Sequence, residues 1–107
     1  MTTFAEYQAL AAATPLSLRN DLDRIRFPAS GLLEASGKIS SLLNRASTTG
    51  RFSLTGEQGC ELQDRLADLL WCTTLLCAES GMSLEDVAAH SLAQLQARAK
   101  DLDPDQR

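Results

Sequence analysis

The chain predicts an all-α fold, a small bundle of four main helices. Two observations carry that expectation. No stretch shows the sustained apolar/polar alternation of a half-buried strand, and the strong breakers are confined to a few points, chiefly Pro15, Pro28, Gly50 and Gly81. Patterns that cap helices stand beside two of those points: Thr55-x-x-Gln58 after Gly50 and Ser83-x-x-Asp86 after Gly81.

The first helix is expected from about Thr3 to Ala13. Phe4, Tyr7 and Leu10 or Ala11 are spaced for one apolar face, and Pro15, which has no N–H to donate, ends it. A short helical turn over Leu18 to Ile25 places Leu18, Leu22 and Ile25 on one side. The second long helix is expected after Phe27-Pro28, from about Ser30 to Arg45, burying Leu32, Leu33, Ile39, Leu42 and Leu43. Ser47-Thr48-Thr49-Gly50 reads as the loop that ends it.

The third helix starts at the Thr55 capping box and runs to about Ser80, where Gly81 provides the C-cap. From Leu66 to Ala78 it is apolar on almost every side and must be buried on most of them. A single copy has only three other helices to cover it, so part of this surface is expected to stay exposed until a second copy packs against it; the bundle is read as a homodimer or higher homo-oligomer. The fourth helix begins at the Ser83 cap, with Leu84, Val87, Leu92 and Leu95 as its packed stripe. Residues 1–100 form one domain, and the polar, proline-broken 101–107 is read as a disordered tail.

Composition narrows the function. A formal charge of −4 over 107 residues leaves no basic face for nucleic acid, so none is expected as a partner. Nor is a membrane, because no apolar run approaches the roughly 18 residues that span a bilayer. With no basic and apolar leader at Met1-Thr2-Thr3-Phe4, the chain reads as cytoplasmic. Cys60, Cys72 and Cys77 lack metal-ligand spacing and are read as buried free thiols. His90 has no neighbours that would make it a base or ligand, and Gly56 and Gly59 lack the lysine of a phosphate loop.

Three segments together resemble the MazG-like all-α nucleoside-triphosphate pyrophosphohydrolases: Phe4-Ala5-Glu6-Tyr7-Gln8, Gly31 to Arg45, and Asp64 to Arg98. The second resembles the family's first metal-binding helix, G-L-x-G-E-x-G-E. Arg65-Leu66-Ala67-Asp68-Leu69-Leu70-Trp71-Cys72-Thr73 resembles its second, E-L-G-D-V-L-W-Y-L, matching at Asp68 and Trp71. The resemblance implies a metal site of two acidic pairs that holds Mg²⁺ against a nucleotide's phosphates, with cleavage of a triphosphate to monophosphate and pyrophosphate. Where it implies four carboxylates, this chain has Ala35, Lys38, Arg65 and Asp68, a formal +1 in place of −4.

Fixed cations repel a hard divalent ion that would need oxygen ligands there. No cofactor is therefore expected, and the chain reads as a non-catalytic or impaired homologue that binds a nucleotide or a partner. Two alternatives stay open. One is an active pyrophosphohydrolase using Mg²⁺ or Mn²⁺ on a relocated cluster of Glu34, Glu61, Asp64 and Asp68. The other is a structural oligomerisation domain whose old cleft is closed by Lys38 and Arg65. The expected ion pairs are Glu34 with Lys38, Glu61 with Arg65, and Arg65 with Asp68. On the closing helix Ser91 and Gln94 stand where the resemblance implies an asparagine and a lysine that bind metal or phosphate, with Arg98 and Lys100 as the nearby cations; Ser91, Arg98 and Trp71 are the candidate substrate contacts.

Overall fold

The computed structural model describes residues 2–13, 21–48 and 50–102, and these form four helices and one minimal ribbon. Helix α1 spans Phe4–Ala13, α2 Asp21–Ala46, α3 Gly56–Glu79 and α4 Leu84–Leu102; strands β1 (Ser47–Thr48) and β2 (Arg51–Phe52) join α2 to α3. The all-α expectation holds. The ribbon, read as plain loop from the sequence, is antiparallel with Ser47 opposite Phe52, and it turns through Gly50 at φ +76°, a conformation that suits glycine.

The helix boundaries follow from their caps. At α1 the Thr3 hydroxyl accepts from the Glu6 N–H at 3.1 Å. At α3 the capping box is complete: Thr55 Oγ1 accepts from Gln58 N–H at 3.1 Å, and Gln58 Oε1 accepts from Thr55 N–H at 3.0 Å. That helix ends in a Schellman motif, with Met82 N–H donating to the Cys77 carbonyl, Gly81 N–H to Ala78, and Gly81 at φ +70°. Ser83 Oγ then accepts from Asp86 N–H at 3.2 Å and opens α4.

Pro28 corrects the expected boundary before Ser30. It lies inside α2, which runs unbroken from Asp21, and the residues expected as a separate turn up to Ile25 join it. A proline here deprives the Arg24 carbonyl of its helical donor, which costs about 3 kcal/mol in an open helix. Its ring is among the most completely buried side chains, and that burial offsets the loss. The expected end of α1 at Pro15 and the start of the turn at Leu18 lie outside the described residues. Asp101 and Leu102 extend α4 into the segment read as tail.

Helices α2 and α3 make the most extensive contact and run antiparallel, with Gly31 beside Cys72 near their middle and Arg45 beside Glu61 toward one end. On α2, Pro28, Ala35, Leu42 and Ala46 are buried, at the spacing of one helical face; on α3 Cys72, Thr74, Leu75 and Cys77 are. Helix α1 lies on α3 and on the start of α4. There a single side chain bridges: Gln8 donates from Nε2 to the Met82 carbonyl at 2.9 Å and accepts at Oε1 from Leu84 N–H at 3.0 Å.

Several expected core positions are not covered. Leu33 is 78% exposed and Leu10 72%, Phe4 is exposed, and on α3 Leu66 and Leu70 face outward. On α4 only Leu84 of the predicted stripe is buried; Val87, Leu92 and Leu95 are exposed, as is every residue from Ala89 to Leu102. Cys60 is exposed too, against the expectation of three buried thiols, while Cys72 and Cys77 are buried and all three are free. The radius of gyration, 17.3 Å, exceeds the ~13 Å of a compact unit of about 100 residues, as this outward apolar surface leads one to expect.

Candidate functional site

The antiparallel pairing of α2 and α3 opens a cleft of about 250 Å³ near their middle. From α2 it takes Phe27, Ser30, Gly31, Glu34, Ala35 and Lys38, which recur every three or four residues and therefore share one helical face. From α3 it takes Arg65, Asp68, Trp71 and Cys72, spaced in the same way. The helices approach closely at Gly31, where an added Cβ would lie 2.6 Å from Cys72 Sγ. Ala35 is small and buried; at this place a longer side chain would fill the cleft.

All four positions that the resemblance assigns to metal ligands thus line a single cavity. Lys38 and Arg65 face a shared space containing Asp68, as their alignment led one to expect. Lys38 Nζ sits 2.9 Å from Glu34 Oε1, and Arg65 donates from Nη1 to Asp68 Oδ2 at 3.0 Å. The hydrogen bond from Lys38, then its charge, holds the exposed Glu34 carboxyl below the usual carboxylate range, and the Arg65 guanidinium adds to the effect. The third expected pair does not form. Glu61 reaches across the helix interface to Arg45 at 3.4 Å, leaving Arg65 to Asp68.

Arg65 is the least comfortable group in the cleft. Its Nε is sealed from solvent and has no hydrogen-bond partner. Leaving a buried donor unsatisfied costs about 1–3 kcal/mol, and more when it is charged. The rotamer that serves Asp68 therefore wastes one edge of the guanidinium. Above it, Trp71 meets Phe27 edge to face, with ring centroids 5.8 Å apart and planes at 76°, and together they form an apolar wall.

The relocated cluster is not assembled. Glu34 and Asp68 line the cleft, but Glu61 is paired with Arg45 and Asp64 is exposed outside it. Among the described residues, no three of His, Cys, Asp and Glu come together in a group that could hold a metal ion. The side chains present do not fit a divalent cation: two carboxylates remain, and each is already matched by a resident cation.

Of the substrate candidates, only Trp71 reaches the cleft. Ser91 and Arg98 lie on the exposed part of α4 and line none of it. His90 is exposed beside Met82 and Asp86, away from the cleft. Phe27 and Gly31 were missed as site residues; the signal for Gly31 was a glycine inside an otherwise helix-forming run. Burial first, then the charges of Asp68 and Glu34, pushes the Cys72 thiol pKa up, which disfavours the reactive thiolate. Chemically, the cleft offers two cationic donors, two carboxylates that occupy them, and an aromatic wall.

Comparison of the chain with protein-family models, curated proteins and solved structures returns no match.

Proposed function

We propose that this chain is a MazG-like helical module that has given up metal-dependent hydrolysis and serves as a nucleotide-binding or interaction module, working as a homodimer or higher homo-oligomer. The observation that carries the reading is the meeting of Lys38 and Arg65 with Asp68 in one cleft, each cation salt-bridged to a carboxylate that a metal would otherwise need. Hard divalent ions require several oxygen ligands, and a guanidinium and an ammonium within the same cavity oppose them. The three free thiols fit a cytoplasmic setting, and among the described residues no helix is long and apolar enough to cross a membrane.

The test is pyrophosphate release with Mg²⁺ and Mn²⁺ over a panel of nucleoside triphosphates, alongside calorimetric titration of each ion. We expect no enzyme-like turnover. Robust turnover that disappears in Asp68→Ala would refute the reading and restore the active hydrolase.

A second reading, a structural oligomerisation domain, draws on the outward apolar residues of α3 and α4. Exposed Leu66, Leu70, Leu92 and Leu95 support association under either reading. Light scattering at micromolar concentration distinguishes a stable monomer, which would remove the oligomeric part of the proposal, from the expected dimer or larger assembly.

A further inference from the structure

Resting on the nucleotide-binding reading, we propose a narrower ligand: the α2–α3 cleft binds a nucleoside monophosphate without any divalent ion, with Arg65 and Lys38 holding the phosphate and Trp71 backing the base.

Charge selects the monophosphate. The lining residues Glu34, Lys38, Arg65 and Asp68 are formally neutral together, so the cleft has no surplus to neutralise a long polyanion. A phosphate monoester carries about −1.5 to −2 at neutral pH, the smallest charge a nucleotide brings, and it can be met by the two cations only as they turn from Glu34 and Asp68 to the ligand. A bare triphosphate carries far more, and would press its extra charge against Glu34 and Asp68. Size disfavours the larger ligand too, since about 250 Å³ lies below the ~300–1,000 Å³ of typical small-molecule pockets and leaves little room for a triphosphate chain.

Both cations can be released to the ligand. The Lys38 and Glu34 side chains are 47% and 67% exposed, and solvent-exposed pairs of this kind are held weakly. Arg65 spends one nitrogen on Asp68 and leaves Nε unpartnered, so swinging the guanidinium outward presents a donor edge that phosphate oxygens accept in parallel. The move exchanges a stranded donor for a charge-assisted bond. Trp71, only partly covered, provides the flat surface beside these donors.

Trp71 is the only tryptophan in the chain, so its emission reports directly on the cleft. The full-length protein is titrated in EDTA with adenosine monophosphate and cytidine monophosphate, their unphosphorylated nucleosides, sulfate, and adenosine triphosphate with and without Mg²⁺; calorimetry runs in parallel. The monophosphates should saturate in EDTA, with the nucleosides and sulfate at least about tenfold weaker, a difference of about 1.4 kcal/mol. Arg65→Ala should lose about tenfold or more, Arg65→Lys should recover part of it, and Lys38→Ala, at an exposed position that does not threaten folding, should lose severalfold. Circular dichroism checks that each variant is folded.

Binding that appears only with Mg²⁺ would overturn the inference and leave the nucleotide-binding reading standing. Monophosphate binding unchanged in both Arg65→Ala and Lys38→Ala, or no tighter than sulfate, would overturn it as well. Absence of binding by every nucleotide in every condition would remove both.

Discussion

Gly31→Ala probes a close approach between α2 and α3. The added methyl would sit 2.6 Å from Cys72 Sγ, about 1 Å inside an optimal non-bonded contact of roughly 3.5–4.0 Å. Two effects of opposite sign compete. Replacing glycine by alanine inside a helix gains about 0.8–1.0 kcal/mol, while overpacking a closely fitted core costs about 1–3 kcal/mol. Cys72 is only 4% exposed and has little room to turn away, so the clash wins and a net loss of about 1 kcal/mol is expected.

Removing the sulfur isolates the cause. In a Cys72→Ala background the nearest remaining contact is Cys72 Cβ, 3.9 Å from the new methyl, an ordinary van der Waals distance. Gly31→Ala should then become stabilising by about 0.8–1.0 kcal/mol, so its effect changes sign. Urea unfolding of the four proteins, at one fixed concentration because subunit association would shift the midpoints, gives the cycle. A coupling energy below about 0.5 kcal/mol, within the additivity of independent sites, would refute the close approach and the helix register built on it.

Restoring carboxylates with Lys38→Glu and Arg65→Glu should create Mn²⁺ and Mg²⁺ affinity absent from the parent, seen as a metal-dependent rise in Tm; a folded double mutant that binds neither ion would contradict the shared cleft. Thr55→Ala removes one half of the capping box and should cost about 1 kcal/mol by urea unfolding, whereas a change under a few tenths would show that the box contributes nothing. At neutral pH iodoacetamide should modify Cys60 quickly and Cys72 only on unfolding. Because the folded Cys72 and Tyr7 pKa values are raised, their stabilisation is fully present below the ordinary thiol and phenol values and is lost as pH climbs through the folded ones. Cys72→Ala should therefore flatten the alkaline fall in stability, and an unchanged fall would locate its cause elsewhere.

What could be read from the sequence was mostly local. The caps at Thr55, Gly81 and Ser83 depend on residues within five positions of one another, and each is present with the expected hydrogen bonds. Lys38, Arg65 and Asp68 share a cleft because helical spacing puts each on the face that α2 and α3 turn toward one another. Pro28 misled, since whether a proline breaks a helix depends on what its ring packs against, a tertiary fact. Leu92 and Leu95 misled differently: their periodicity marks an apolar face but says nothing about which chain covers it. The contact of Phe27 with Trp71 and the approach of Gly31 to Cys72 join positions more than forty residues apart, and no local pattern announces them.

Gln8 gives α4 the mechanics of a cantilever. The helix of 19 residues is about 28 Å long at 1.5 Å per residue, and its inner end is held by the buried Leu84 side chain and by the Gln8 amide, which bonds the Leu84 N–H and the Met82 carbonyl just before the helix. A tilt of about 10° at that grip carries the far end through roughly 5 Å, several times the tolerance of a packed interface. The direction in which Leu92, Leu95 and Leu102 meet anything outside their own chain is thus set about 12 to 27 Å away, in part by a side chain on a different helix.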